Sequence, residues 1–155
     1  MPPADRPGVR LGVDVGSVRV GVAVCDPDAI LATPLATVPR DATGRDDLPS
    51  DIAEIARLVE IHRAVEVIVG LAVNLAGKQG PAAVATRQYA EILRAAIDPV
   101  PVRMVDERMS TVVATRRLSE RGVRGKRQRA VVDQAAAVEI LQSWLDARRR
   151  QPDAG

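Results

Sequence analysis

Three acidic locations, far apart in the chain, have the residue types to do chemistry: Asp14, the Asp106-Glu107 pair and Asp133. Carboxylates are hard oxygen donors, and three of them without His or Cys suit Mg²⁺ or Mn²⁺. Two such ions can activate a water and stabilise the leaving oxygen of an in-line phosphoryl displacement, while offsetting the mutual repulsion of the acids. The composition removes most other chemistries. The 155 residues include one histidine, His62, and one cysteine, Cys25. A Ser-His-Asp relay, a multi-His metal site, an intramolecular disulfide and a multi-thiolate zinc site all lack their residues. These absences point to an intracellular protein, expected in the cytoplasm, whose hydrolytic chemistry would have to use carboxylates.

Each acid stands in a different context. Asp14 lies at the end of the first strand, within the run Gly12-Val13-Asp14-Val15-Gly16. Strand alternation puts Gly12, Asp14 and Gly16 on one face and Leu11, Val13 and Val15 on the other. The glycines leave the carboxylate uncovered and admit a close ligand; the competing reading is a turn aspartate. Asp106 and Glu107 follow an apolar strand directly. Adjacent residues of an extended chain point apart, so one of the two faces the site, and either can instead serve as a helix cap. Asp133 belongs to a helix. At about 100° per residue, Ala136, Ala137, Ile140, Leu141, Trp144 and Ala147 fall within roughly 80° of it. It therefore sits on the apolar stripe, where a lone carboxylate is costly unless paired, protonated or bound to metal. A place near the helix N-terminus would help it, and bonds to backbone amides or an arginine are the alternative.

Charge is unevenly distributed. The net charge is +2, but residues 116–129 hold seven basic residues and one acid, +6 in all, which leaves −4 for the rest. A basic segment on an acidic body suggests a polyanionic partner; a solvated loop is the plain alternative.

The elements that must position these groups follow from the pattern. Residues 9–13, 18–24, 65–69 and 102–105 read as β-branched strands, and 30–38 as a third strand broken by Pro34, which suits an edge or a bulge. Residues 48–62, with Ser50 as N-cap, 82–97, 110–119 and 129–149 read as helices, and the basic stretch as a loop. The order implies an α/β protein with a mixed sheet and helices on its faces. Residues 9–149 form the expected single domain, with flexible termini at 1–8 and 150–155. No apolar run approaches the roughly 20 residues that span a bilayer, so no membrane is expected.

Four segments carry a resemblance: 11–23 (LGVDVGSVRVGVA), 67–77 (VIVGLAVNLAG), 105–111 (VDERMST) and 132–142 (VDQAAAVEILQ). Their order and spacing resemble the YqgF/RuvX family of RNase H-like nucleases, over most of the chain. The resemblance implies an RNase H-like fold with a five-stranded mixed sheet, its first three strands antiparallel, flanked by helices. It implies a divalent-metal endonuclease using Mg²⁺ or Mn²⁺, with Asp14, Glu107 and Asp133 as catalytic and metal-binding acids. Arg19, Asn74 and Arg108 would contact phosphate or order the site, and Arg121, Arg124, Lys126, Arg127 and Arg129 would hold the nucleic-acid backbone. Ala72 and Ala76 stand where the family often has Pro and Asp. The implied activity is processing of the 5′ end of pre-16S rRNA in ribosome biogenesis. Some relatives instead resemble Holliday-junction resolvases of DNA recombination, and cutting two strands would favour a homodimer.

Two rivals belong to other classes. Asp14 to Gly21 also resembles the phosphate hairpin of actin-type ATP-binding proteins, but those place nucleotide between two domains and 155 residues hardly supply both. A non-catalytic nucleic-acid-binding module would keep the basic segment and make the acids structural. With one Tyr and one Trp, it would have almost no stacking platform.

Overall fold

The computed structural model describes residues 7–41, 43, 48–71, 80–106 and 126–150. The elements in chain order are β1 (Arg10–Val15), β2 (Arg19–Cys25), β3 (Ala32–Pro39), α1 (Ser50–His62), β4 (Glu66–Leu71), α2 (Pro81–Ile97), β5 (Val102–Asp106) and α3 (Lys126–Arg150). The strands form one five-stranded sheet in the order β3-β2-β1-β4-β5. β1 pairs with β2, and β2 with β3, antiparallel; β1 with β4, and β4 with β5, are parallel. This is the mixed sheet the strand order implies.

Alternation along the strands builds two cores. Leu11, Val13, Val20, Val22, Val67 and Val69 meet Ile52, Ile55 and Val59 of α1 and Leu93 and Ile97 of α2. On the other face Ala23, Cys25 and Ile68 meet Ala136, Ala137, Ile140, Leu141 and Leu145 of α3. The second face is lined with smaller side chains because α3 lies close to the strands.

Pro34 acts as the sequence suggests. Val22 pairs with Ala36 and Ala23 with Pro34, so Leu35 is the extra residue of a bulge. β3 is also the sheet edge, where a residue without an N–H costs least.

Several local expectations are corrected. Ser50 is the first residue of α1, not its cap; Pro49 takes the cap position with no side-chain bond. The Asp41 carboxylate accepts the Ser50 N–H at 2.8 Å instead. Hydrogen bonds from the Thr43 hydroxyl first, then from the Ser50 and Thr43 amides, hold its pKa well below the usual carboxylate range. α3 begins at Lys126 rather than Arg129, so Lys126 and Arg127 belong to a helix, not a loop. Asp133 is therefore about two turns inside the helix. The dipole acts mainly within the first turn, so closeness to the helix N-terminus does not stabilise an anion there. The apolar stripe of α3 includes Leu145, at 0% exposure, while Ala147 is exposed. The expected helix at 110–119 lies outside the described residues.

A buried ion pair fixes the amino ends of the strands. Arg10 Nε and Glu66 Oε1 are 3.0 Å apart, with both side chains at 0% exposure. Arg103 Nε lies 2.6 Å from Glu66 Oε2, and Arg10 Nη1 donates to the Gly8 carbonyl at 3.0 Å. The Arg10 guanidinium also stands 5.3 Å from the Trp144 ring centroid. Desolvating each ion costs several kcal/mol, and removing one partner of such a pair costs about 3–5 kcal/mol. Glu66 is thus a structural carboxylate, neutralised by two guanidinium groups.

Candidate active site

Asp14 is at the opposite end of the same face. It is the fifth residue of β1 and is 1% exposed. A backbone row crosses the sheet at its level: Asp14 pairs with Gly21, and Gly21 with Thr37. Gln134 Nε2 of α3 donates to Thr37 Oγ1 at 2.9 Å in that row. Two helical turns further on, Gln142 Oε1 accepts the Ala32 N–H at 2.8 Å, and Ala32 pairs with Cys25 at the far end of β2. α3 therefore runs antiparallel to β1 and brings its N-terminal half to the carboxyl end of that strand. Position 133, beside Gln134, stands one turn before Ala137, which packs on Gly12.

β5 reaches the same edge. Val13 pairs with Val69, Gly70 with Val105, and Leu71 with Asp106. Two strand spacings, about 10 Å, separate the ends of β1 and β5. Val105 packs with the α3 core, whereas Val102 and Met104 pack with the α1–α2 core. Alternation places Asp106 with Met104, on the face away from Asp14. The carboxyl ends of parallel strands are where functional groups gather in open α/β sheets.

The surroundings of Asp14 suit a hard cation. Gly21, its row partner, has no side chain, and neither has Gly70, next to Val69 on β4. A carboxylate removed from water has the donor chemistry that Mg²⁺ and Mn²⁺ take. The thiol is unsuited to chemistry. Cys25 is 5% exposed, its Sγ accepts the Arg10 N–H at 3.1 Å, and burial pushes its pKa up. It is not a thiolate nucleophile.

Of the other residues singled out in the sequence, Arg19 opens β2 at the Asp14 edge, paired with Pro39. Lys126, Arg127 and Arg129 fall in the first turn of α3. Asn74, Glu107, Arg108, Arg121 and Arg124 lie outside the described residues. Among the described residues, no group of three His, Cys, Asp or Glu side chains could hold a metal, and no helix is long and apolar enough to cross a membrane.

Sequence reading missed a polar cluster next to this edge, made by Arg40, Asp51 and Tyr89. Asp51 lies on the buried stripe of α1 with Ile52, Ile55, Leu58 and Val59. That helical spacing was the available signal.

The RuvX family, described as Holliday junction resolvase, matches residues 8–147. The chain belongs to the RuvX family. RuvX proteins are nucleases, hydrolases of phosphodiester bonds, and the sequence resemblance is borne out. A Rhodococcus opacus protein provisionally named pre-16S rRNA nuclease is 56% identical over 158 residues, covering 97% of this chain and 88% of its own. A Nocardia farcinica protein of the same name is 56% identical over 149 residues, covering 94% and 83%. Among solved structures, Thermus thermophilus RuvC in complex with a Holliday junction substrate superposes with a TM-score of 0.56. It is 17% identical and covers 92% of this chain and 96% of its own. That likeness shows that this RuvX chain shares the RuvC fold, which is RNase H-like.

Proposed function

We propose that this RuvX protein is a divalent-metal-dependent endonuclease that processes the 5′ end of pre-16S rRNA in the bacterial cytoplasm. One observation carries the reading: a carboxylate at 1% exposure, Asp14, stands at the sheet edge where β5 ends and the N-terminal half of α3 arrives. Asp14, Glu107 and Asp133 would hold Mg²⁺ or Mn²⁺. Glu107 is favoured over Asp106 because alternation turns Asp106 to the other face. When bound, the ions supply Lewis-acid stabilisation of the phosphoryl oxygens and a more acidic water. The protein's own groups bind and orient the strand. Arg19, at the Asp14 edge, and Asn74 and Arg108 contact the phosphate. Arg121, Arg124, Lys126, Arg127 and Arg129 hold the backbone further along. Residues 9–149 serve as one catalytic domain. The rRNA substrate is favoured by the name shared by relatives more than half identical to this chain.

A second reading, Holliday-junction resolution, is favoured by the family's description. It would require a homodimer, with one active site for each strand. Parallel incubation with a 5′-extended small-subunit rRNA fragment and a four-way DNA junction, with and without Mg²⁺ or Mn²⁺, separates the two. Metal-dependent cleavage of the RNA alone supports processing, and symmetric nicking of the junction alone supports resolution. Salt-sensitive binding to either without cleavage would overturn both in favour of a binding module.

A further inference from the structure

We propose that Arg40 is a positioning residue for Asp14: anchored by Asp51 and Tyr89, it fixes the β1–β2 turn that ends the strand carrying this acid. The proposal rests on the nuclease reading above. Arg40 directly follows β3, and its main-chain N–H donates to the Val18 carbonyl at 2.9 Å. Its Nη1 donates to the Gly16 carbonyl at 2.8 Å. One side chain and its own amide thus hold both ends of the turn, two residues beyond Asp14.

Besides Arg40, one backbone bond among the described residues closes the turn. Its internal bond runs from the Gly16 N–H to the Arg19 carbonyl at 2.9 Å. Position 16 must stay glycine, because a Cβ there would stand 2.6 Å from that carbonyl oxygen. Val18, at the tip of the turn, is 63% exposed and is not anchored by burial.

Arg40 itself is held on two sides. Its Nε lies 3.3 Å from Asp51 Oδ2, and its guanidinium stands 4.9 Å from the Tyr89 ring centroid. The Tyr89 hydroxyl donates to the same Oδ2 at 3.0 Å. Asp51 is 2% exposed, and its Oδ1 accepts no hydrogen bond from the described residues. Compensation for the buried charge therefore runs through Oδ2, which takes the Tyr89 hydrogen bond and the Arg40 ion pair. A planar fork can serve a carbonyl and a carboxylate together while lying on a ring; an ammonium cannot. The cluster ties the α1–α2 layer to the turn, which keeps the strand end in one place. Metal ligation needs that, since placement must hold to about 0.5 Å.

The test compares wild type, Arg40→Lys and the milder Tyr89→Phe with Mn²⁺, on the same rRNA fragment and four-way junction. Amide hydrogen exchange over residues 14–19 is read in parallel. Arg40→Lys is expected to lower kcat about 10- to 100-fold, the usual effect of losing a group that orients a metal ligand. KM should stay within about twofold, more Mn²⁺ should be needed for half-maximal rate, and exchange in the turn should accelerate. Tyr89→Phe, which keeps the ring under Arg40, should show the same pattern more weakly. Unchanged exchange, or faster exchange with wild-type kcat, overturns the proposal. A raised KM with unchanged kcat also overturns it, because Arg40 would then touch the substrate directly. A wild-type protein inactive on both substrates sinks the nuclease reading and this proposal with it; an active wild type with unaffected variants sinks this proposal alone.

Discussion

Gly12 of β1 and Leu141 of α3 approach so closely that a Cβ at position 12 would stand 2.7 Å from Leu141 Cβ and 2.8 Å from the Ala137 carbonyl oxygen. This contact sets the height of α3 above the sheet. Asp14 is two residues along the strand from Gly12, and position 133 is one turn along the helix from Ala137. The approach of two backbones thus governs the separation of two proposed metal ligands.

Gly12→Ala should lower stability by about 1–3 kcal/mol, the usual cost of overpacking a close contact. Helical backbone atoms cannot step aside as a flexible side chain would. Denaturant unfolding reads the loss, and cleavage by the still-folded fraction should fall as well. Unchanged stability would mean that α3 is free to shift.

Tyr89 offers a spectroscopic check on the buried polar cluster, as the sole tyrosine in the chain. Burial, followed by the Asp51 charge and the hydrogen bond to it, pushes its pKa well above the ordinary value. A phenol raised in the folded state contributes stability below its unfolded pKa of about 10, and that contribution is lost as pH rises above this value. Phenolate absorbance should therefore appear only together with the loss of ellipticity in an alkaline titration. A phenolate signal near pH 10 in folded protein would contradict the burial and the Asp51 contact.

Neutralising Arg124, Lys126 and Arg127 together should weaken nucleic-acid binding and flatten its dependence on salt. If each meets one phosphate, the slope of log K against log[salt] should shrink by roughly 2–3. Binding measured at several salt concentrations checks this, and an unchanged slope removes these residues from the interface.

Much of this arrangement was legible in the residues. β-branched runs marked the strands because burial on both faces demands them, and Pro34 marked a bulge at the sheet edge. Alternation alone places Asp14 on the face of Gly12. The start of α3 was not legible, since Lys126 to Arg129 are polar and carry no apolar period. The role of Asp41 was hidden because it caps α1 from nine residues upstream. The Arg40–Asp51–Tyr89 cluster depends on tertiary packing between positions far apart in the chain. Asp51 alone reads as an ordinary first-turn acid, although its place on the stripe of Ile52 and Ile55 pointed to burial. The proposal of Glu107 over Asp106 draws on the packing of Val105 and Met104 on opposite faces.

The most direct test of the central claim is the single-turnover cleavage rate of Asp14→Asn beside wild type, in Mg²⁺ and in Mn²⁺, with Tm recorded for both. Metal ligation by Asp14 implies a fall of about a thousandfold or more, equivalent to about 4 kcal/mol of transition-state stabilisation. Tm should stay close to the wild-type value, because Asn keeps the shape and volume of Asp. A folded Asp14→Asn protein that cleaves at the wild-type rate would contradict that ligation.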